Sequence, residues 1–444
     1  MTTTPEVIDL LIEARWIAAV DPDVVLTNHA VAVHNGRIVD LLPIAEAHGR
    51  YAPEQTTRLS EHLLIPGLIN LHTHAAMSLM RGLADDLPLM TWLQEHIWPA
   101  ESAHLSSQFV YDGTLLACAE MLRGGVTCFN DMYFYPEAAA AASTTLGMRA
   151  SIGIATLEFP TPFASDADDY LYKGLATREQ YHENPLISFC LAPHAPYTVS
   201  DATFERVQTL SGQLNLPIHC HIHETRHEID ESLSQYGMRP LARLHNLGLL
   251  GPNFIGVHAV HLNDDDLRLI SETGSNIAHC PTSNLKLASG FAPVARMRQI
   301  GINVGLGTDG AASNNRLDML SEMRLAALLA KGISGDASAL PAREILRMAT
   351  ICAANALGLG HEIGSISSGK AADLCAIDLG GLETRPCFDP VSHLLYAAGR
   401  EQVSHVWVAG KCCVDHKTLL TNQQNHLESS VALWQNNLEF RREA

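Results

Sequence analysis

The chain has few charged residues for its length and none of the cysteine pairs typical of disulfide-rich or zinc-finger proteins. Charged residues make up 17% of its 444 positions and hydrophobic residues 47%. This composition excludes a disordered chain and predicts a large packed core. Ten cysteines are scattered along the chain without a CxxC pair. We therefore expect reduced thiols in a cytoplasmic protein.

Positive charge and long apolar runs are also scarce. There are 29 Lys and Arg residues against 48 Asp and Glu, and the formal net charge is −19. This balance argues against a nucleic-acid partner, which would favour a basic patch. No apolar run reaches the length needed to cross a bilayer, and the first ten residues, MTTTPEVIDL, lack the pattern of a signal peptide. We expect neither a nucleic acid nor a membrane as partner.

The middle of the chain alternates short apolar runs with helix-like patterns. Eight strands separated by helices over about 300 residues predict an α/β fold, a (β/α)8 TIM-type barrel. A doubly wound open sheet is the alternative, but no GxGxxG motif follows the first strand. The candidate strands are 67–74, 126–133, 149–157, 187–194, 216–223, 254–261, 276–280 and 303–309.

Both ends of the chain have a different pattern, with short apolar runs broken by turn signals. Asn35-Gly36 lies between two such runs and predicts a two-residue hairpin. We expect the two ends to meet in a small β-sandwich domain of residues 1–66 and 367–444, which includes a C-terminal helix. Residues 67–366 would then form the barrel domain.

The first barrel strand ends in His72 and His74. Side chains two positions apart on a strand point to the same side, so both imidazoles would face one point, as two ligands of a metal do. A chain with 23 histidines places some of them two apart by chance. The pair alone is therefore only a hypothesis.

Other candidate strands carry similar residues at their carboxyl ends, which line the active site in barrels of this type. Histidine nitrogens with a carboxylate suit zinc or a similar divalent ion, which lowers the pKa of a water that it polarises. Five of the eight ends carry such residues: His72 and His74; His194; His219, His221, His223 and Glu224; His258 and His261; and Asp309.

Longer segments resemble the amidohydrolase superfamily. They are the stretch 66–101, which begins PGLINLHTH, and the segments APHAPYT, HIHET, GVHAVHL, HCPTSNLKLASG and GLGTDGAASNN. Within the superfamily the chain is similar to the branch of 5-methylthioadenosine/S-adenosylhomocysteine deaminases, grouped with the triazine hydrolases. Residues 82–101 are the part that points to the nucleoside deaminases.

The resemblance implies one divalent metal ion per subunit, and we expect Zn²⁺. The family's fifth-strand motif places a glutamate three residues after the ligand, which fits His221 and Glu224 better than His219 or His223. Members with two metals usually carry a lysine on the fourth strand, and residues 187–194 contain none. The implied ligands are His72, His74, His221 and Asp309.

The same resemblance implies roles for the other residues. Glu224 would protonate the purine N1, while His258 and Asp309 would orient the attacking water and accept its proton. Glu101 would accept hydrogen bonds from the ribose 2′- and 3′-hydroxyls, and His194 would orient the purine. Glu224 therefore counts as both a catalytic and a substrate-binding residue.

The expected activity is metal-dependent hydrolytic deamination of the adenine ring of 5′-substituted adenosines, which gives the inosine derivative and ammonia. The expected partner is this small nucleoside substrate, and we expect a homo-oligomer, a dimer or a tetramer. Deamination of guanine, cytosine or an aminotriazine is the alternative within the same class. A non-catalytic scaffold is a remote alternative, because all four implied ligands and Glu224 are present.

The loop after the third strand bears on the 5′-substituent. The resemblance implies that family members that use S-adenosylhomocysteine well hold its carboxylate with arginine from this loop, and residues 157–166 contain none. We expect Phe159 and Phe163 to form an apolar wall, and Glu158 and Asp166 to repel a carboxylate. The sequence therefore predicts a preference for methylthioadenosine over S-adenosylhomocysteine.

Overall fold

The computed structural model describes residues 5–439. Two hydrogen-bonded sheets, each of eight strands, organise this part of the chain. The strands are β1 (Glu6–Ala18), β2 (Val25–His34), β3 (Arg37–Pro43), β4 (Tyr51–Pro66), β5 (Leu68–Thr73), β6 (Val126–Tyr133), β7 (Arg149–Thr156), β8 (Ile187–Pro193), β9 (Ile218–Ile222), β10 (Phe254–His258), β11 (Asn276–His279), β12 (Val304–Leu306), β13 (Leu374–Asp378), β14 (Val403–Val408), β15 (Lys411–Asp415) and β16 (Thr418–Leu419).

Helices connect most of the strands. None of those between residues 5 and 439 is both long and apolar enough to cross a membrane. They are α1 (Ile44–Arg50), α2 (Leu89–Trp92), α3 (Trp98–His104), α4 (Ser107–Arg123), α5 (Pro136–Leu146), α6 (Ala167–Gln180), α7 (Asp201–Leu214), α8 (Arg226–Tyr236), α9 (Pro240–Asn246), α10 (Asp264–Thr273), α11 (Pro281–Lys286), α12 (Val294–Gln299), α13 (Ala311–Asn314), α14 (Met319–Ser334), α15 (Ala342–Met348), α16 (Ile351–Ala356), α17 (Pro390–Tyr396) and α18 (Gln424–Glu439).

The barrel sheet runs in sequence order from β5 to β12, and all eight predicted strands are present within a few residues of their expected limits. Strands β6 and β7 are buried along their whole length, as expected for parallel strands covered on both faces. The two edges approach each other where the Asp309 N–H donates to the His72 carbonyl at 3.0 Å. The predicted TIM-type barrel is therefore confirmed, and a doubly wound sheet is excluded.

The second sheet joins strands from both termini in the order β16-β15-β14-β13-β4-β1-β2-β3. Strands β1 and β4 pair in parallel and the other neighbours are antiparallel. Asn35 and Gly36 both have positive φ, 50° and 74°, which makes the predicted hairpin turn between β2 and β3. The predicted terminal β domain is thus one continuous mixed sheet.

The described residues divide into two compact units. Residues 5–69, 121–128 and 318–420 form the first, and residues 70–120, 129–317 and 421–439 the second. This division groups 318–366 with the terminal sheet and the C-terminal helix with the barrel residues. In the second unit, the Trp434 indole N–H on α18 donates to Asp112 Oδ2 at 2.9 Å. The predicted limits at 66/67 and 366/367 stay a prediction.

Candidate active site

A cavity of about 300 Å³ opens at the carboxyl ends of the barrel strands, a size typical of small-molecule sites. Its lining belongs to the second compact unit. One of the eight predicted site residues, His72, does not line the cavity. It is fully buried, and its Nε2 lies 3.2 Å from Asp309 Oδ1. The other seven line the cavity: His74, Glu101, His194, His221, Glu224, His258 and Asp309. The structure therefore brings all eight together.

Three imidazoles converge at the base of the site. Ligand atoms of His72, His74 and His221 lie within 4.8 Å of one another, as do those of His72, His258 and Asp309. His74 Nε2 lies 3.3 Å from Asp309 Oδ1. Donor atoms around a tetrahedral zinc with bonds of about 2.0–2.1 Å are about 3.3 Å apart. The spacing of these donors therefore fits a single divalent ion.

The outer nitrogens of two of these histidines are anchored to the backbone. His74 Nδ1 donates to the Met132 carbonyl at 2.6 Å, and His221 Nδ1 donates to the His194 carbonyl at 2.7 Å. A carbonyl oxygen only accepts, so each Nδ1 carries a hydrogen, and Nε2 is the nitrogen that each ring can offer to a metal in its neutral form. Both rings are thus held in the tautomer that a metal requires.

Asp309 is held as a carboxylate by its neighbours. Its φ of 62° is left-handed, an uncommon backbone for this residue that often marks a functional site. The hydroxyls of Ser283 and Ser313 donate to Oδ2 at 2.6 and 2.8 Å. Burial alone would raise the pKa of Asp309, but contacts with His72 and His74 outweigh burial and hold it well below the usual range.

Glu224 is buried and faces His258. Its Oε2 lies 3.7 Å from His258 Nε2, and its Oε1 accepts from the Ser289 hydroxyl at 3.2 Å. Burial raises the pKa of Glu224, against the lowering effect of His258, which favours a protonated carboxyl able to donate. Glu228 accepts from the Glu224 backbone N–H at 2.9 Å and so fixes the chain where this side chain begins.

His258 ends β10 in a left-handed conformation, with φ of 72°. Its Nδ1 donates to Asn284 Oδ1 at 2.8 Å, which leaves the Nε2 lone pair directed towards Glu224. Through Nε2 this ring can exchange a proton inside the cavity.

Glu101 lines the cavity from α3. Its Oε1 accepts from the Tyr133 hydroxyl at 2.6 Å. Burial raises the pKa of Glu101 to about 7, although the Tyr133 hydrogen bond lowers it. A carboxylate has about four acceptor positions, and the Tyr133 hydroxyl occupies one of them. Further acceptor capacity therefore remains for substrate hydroxyls.

His194 follows β8 and is fixed by its loop. The Thr198 hydroxyl donates to the Ala195 carbonyl at 3.1 Å, so it accepts from His194 Nδ1, 3.0 Å away. Burial lowers the pKa of His194 to about 3. A neutral imidazole with a fixed tautomer thus borders the cavity.

The two neighbouring histidines that sequence reasoning left as alternatives have other partners. His219 Nε2 lies 3.0 Å from His72 Nδ1, so His219 supports a predicted ligand. His223 has φ of 51° and leaves the strand, and its Nε2 accepts from the Leu241 N–H at 3.1 Å. Of the three, His221 is the one whose ring borders the cavity.

Beyond the histidines the cavity wall is mostly apolar. Among the described residues no lysine or arginine lines it. The apolar lining includes Leu89, Trp92, Leu93, Ile97, Trp98, Leu105, Phe134, Leu157, Phe159, Pro160, Pro162 and Leu287. The Phe159 ring approaches Trp98 with a centroid distance of 6.3 Å, as the sequence predicted for one side of an apolar wall.

Three residues expected beside the 5′-substituent lie elsewhere. Phe163 packs with Leu157 and Tyr170 and does not itself line the cavity. The Glu158 carboxylate accepts from the Ser200 N–H at 2.9 Å, and Asp166 caps α6 by accepting from the Asp169 N–H at 2.9 Å. None of the three side chains lines the cavity, and their predicted effect on the 5′-substituent stays a prediction.

Sequence reasoning missed the residues that support the site. Five of them, Thr198, Ser283, Asn284, Ser289 and Ser313, lie in the segments that carry the family resemblance. The sequence does not show which side chain each of them contacts, because the partners meet only in the fold. The aromatic character of 126–135 was the single signal for Tyr133. The missed residues are Asn130, Tyr133, Thr198, Glu228, Ser283, Asn284, Ser289 and Ser313.

Residues 63–413 match the amidohydrolase family. The chain belongs to this family. It is 47% identical over 435 residues to 5-methylthioadenosine/S-adenosylhomocysteine deaminase from Saccharophagus degradans, covering 98% of each chain. It is 38% identical over 424 residues to 5′-deoxyadenosine deaminase from Methanosarcina mazei, covering 95% of this chain and 96% of the relative.

A solved structure is also similar. An adenosine deaminase from Xanthomonas campestris with bound zinc superposes with a TM-score of 0.97 at 50% identity, covering 98% of this chain and 100% of the other. The family and the class of enzyme predicted from the sequence are therefore confirmed. The roles of single residues, the number of metal ions, the oligomeric state and the cytoplasmic location stay predictions.

Proposed function

We propose that this amidohydrolase deaminates the adenine ring of 5′-substituted adenosines to the inosine derivative and ammonia. One observation carries the proposal. A single cavity holds the histidine cluster with Glu224 and also Glu101, and apolar side chains line most of the rest. The deaminases of Saccharophagus degradans and Methanosarcina mazei support the same substrate class. An adenosine analogue needs both a polar reacting centre and an acceptor for its ribose.

We infer that one Zn²⁺ is held by His72, His74, His221 and Asp309. The grouping of His72, His74 and His221 and the contacts of Asp309 with His72 and His74 support this ligand set, and β8 offers no lysine for a second metal. Zinc is bound in the Xanthomonas campestris deaminase. When bound, the metal supplies Lewis acidity, which polarises the attacking water.

The protein's own groups would move the protons. Glu224 donates its proton to the purine N1, which makes C6 electrophilic, while the water oxygen adds to C6. His258 Nε2 and Asp309 take the proton that the water releases. Glu224, now a carboxylate, takes the remaining proton of the added hydroxyl and gives it to the exocyclic amino group, so ammonia leaves as the C6 carbonyl forms. The proton first taken from the water then restores the Glu224 carboxyl. Glu224 Oε2 and His258 Nε2 are 3.7 Å apart, so both groups can act on the same part of the substrate.

We expect purified, zinc-loaded protein to deaminate methylthioadenosine and adenosine and to leave guanine and cytosine unchanged. Loss of the adenosine absorbance band and release of ammonia would be measured side by side. We also expect kcat/KM for methylthioadenosine to exceed that for S-adenosylhomocysteine by at least about tenfold, equivalent to about 1.4 kcal/mol. A carboxylate without a cationic partner is costly to bury, and the lining contains no lysine or arginine among the described residues.

Two outcomes of this measurement would contradict the proposal in different ways. Turnover of guanine or cytosine without turnover of adenosines would assign the cavity to another ring. Equal kcat/KM for methylthioadenosine and S-adenosylhomocysteine would leave the deamination intact but remove the preference for an apolar 5′-substituent.

Glu101→Ala tests the ribose contact. We expect kcat/KM on adenosines to fall about ten- to hundredfold, because a hydrogen bond to a charged group contributes about 1.5–3 kcal/mol. Replacing the ribose by 2′,3′-dideoxyribose should then lower kcat/KM of the variant only slightly. In the wild type the same replacement should lower kcat/KM as much as the mutation does. Glu95→Ala, an exposed glutamate of the same segment, is the matched control. An equal further loss on the dideoxy analogue in the variant and the wild type would contradict the contact.

A further inference from the structure

Two histidines and an aspartate meet in the terminal sheet. His405 lies on β14, Asp415 ends β15, and His416 begins the turn to β16. Their ligand atoms all lie within 4.8 Å of one another. None of the three lines the cavity described above, so the proposed deamination gives them no role.

Hydrogen bonding fixes the tautomer of His405. The Ser404 hydroxyl donates its only hydrogen to the Ala376 carbonyl at 3.1 Å. It can therefore only accept from His405 Nδ1, 2.9 Å away. The hydrogen is therefore on Nδ1. Burial lowers the pKa of His405 to about 4, so the ring is neutral and Nε2 keeps a lone pair. The ring also stacks on Trp407, with centroids 5.6 Å apart and planes 7° apart, which holds its orientation.

That lone pair faces another acceptor. His405 Nε2 lies 3.3 Å from Asp415 Oδ1, and neither atom has a hydrogen to offer the other. Two facing acceptors repel each other unless a cation lies between them. The His405 side chain is only 4% exposed and that of Asp415 is 48% exposed, so water reaches the pair from the side of Asp415.

A third donor approaches the same point. His416 Nε2 lies 3.9 Å from Asp415 Oδ1, and the His416 and His405 ring centroids are 4.6 Å apart. Separations of 3.3 and 3.9 Å are close to the spacing of about 3.3 Å between donors of tetrahedral zinc. Two imidazoles and one carboxylate suit Zn²⁺ or a similar transition ion, with water completing the shell. We propose that His405, Asp415 and His416 form a second metal site, distinct from the catalytic ligands.

The backbone presents His416 in an uncommon conformation. His416 and Lys417 have φ of 46° and 68° and form a two-residue turn between the paired Asp415 and Thr418. Such turns favour Asn-Gly, and side chains other than glycine pay a conformational cost there. A metal that binds His416 and Asp415 would offset this cost and stabilise the hairpin at the sheet edge.

Zinc binding by the holoenzyme tests the site directly. We expect wild-type protein, dialysed against micromolar free Zn²⁺, to bind about one more zinc per chain than His416→Ala or Asp415→Asn. Both substituted side chains are exposed, 83% and 48%, so the variants should fold. Their deaminase kcat/KM should stay within about twofold of wild type, because the catalytic ligands are untouched.

His48→Ala is the matched control, because His48 is another exposed histidine beside a carboxylate, 2.9 Å from Glu13 Oε1. It should bind as much zinc as wild type. Equal zinc content in wild type, His416→Ala and Asp415→Asn would overturn the proposal and assign a proton to the space between His405 and Asp415. An equal loss in His48→Ala would also overturn it, because the extra zinc would then be non-specific. These outcomes do not depend on whether the protein deaminates adenosines.

Discussion

Glu224→Gln is expected to keep its zinc and lose about 10²–10⁴-fold in kcat. General acid–base catalysis contributes about this much to an enzymatic rate. The amide has nearly the shape of the carboxyl, so it can still accept from the Ser289 hydroxyl. It cannot release a proton to the purine N1 or return one to the leaving amino group.

The geometry makes this a test of chemistry and not of folding. The Glu224 backbone N–H is held by Glu228 and is unaffected by the substitution. Metal content and thermal stability should therefore match wild type. Glu231→Gln, on the exposed face of α8, is the matched control and should retain full activity. A Glu224→Gln enzyme within about threefold of wild type would show that another group transfers the proton.

The barrel and its reacting residues could be predicted because buried parallel strands have a recognisable sequence pattern. Buried runs mark the strands, and the alternation of side chains places His72 and His74 on one side of β5. The ends of such strands meet at one face of a barrel. Residues from five strand ends could therefore be assigned to one site before any contact was known.

Loop positions could not be predicted in the same way, since no periodicity governs them. Phe159 and Phe163 are four residues apart in one loop, yet only Phe159 lines the cavity. Tyr133 reaches Glu101 across 32 positions of the chain, and no local pattern encodes that pairing. The cluster of His405, Asp415 and His416 was not predicted either, because His405 and Asp415 meet only through the pairing of β14 with β15.

The fifth strand of the barrel, β9, is a case in which the alternation of side chains does not identify the ligand. His219, His221 and His223 are each two apart, so all three should face the same side of a regular strand. The structure separates them by depth and by backbone. His219 is fully buried and its ring lies within hydrogen-bond distance of His72. His223 has a left-handed φ, so the backbone leaves the strand at this residue.

These differences predict a ranking of metal loss among alanine or asparagine variants of the three histidines. His221→Ala removes a proposed ligand and should lose both bound zinc and more than about 100-fold in activity, because mutating an outer partner alone costs about 10–100-fold. His219→Asn removes a partner of His72, so zinc affinity should fall by about 10–100-fold and full occupancy should return at higher zinc.

His223→Asn completes the comparison as the control for burial. Its imidazole Nε2 accepts from the Leu241 N–H and its Nδ1 lies 3.2 Å from the His261 carbonyl, so the substitution should lower the melting temperature while folded protein keeps its zinc. Zinc per folded chain, measured for all three variants at the same free zinc, separates ligand from support. Full occupancy in His221→Ala, with loss in His219→Asn or His223→Asn, would move the ligand to that neighbour. The expected order follows from the direction of each ring, since only His221 presents an unoccupied Nε2 to the point where His72, His74 and Asp309 converge.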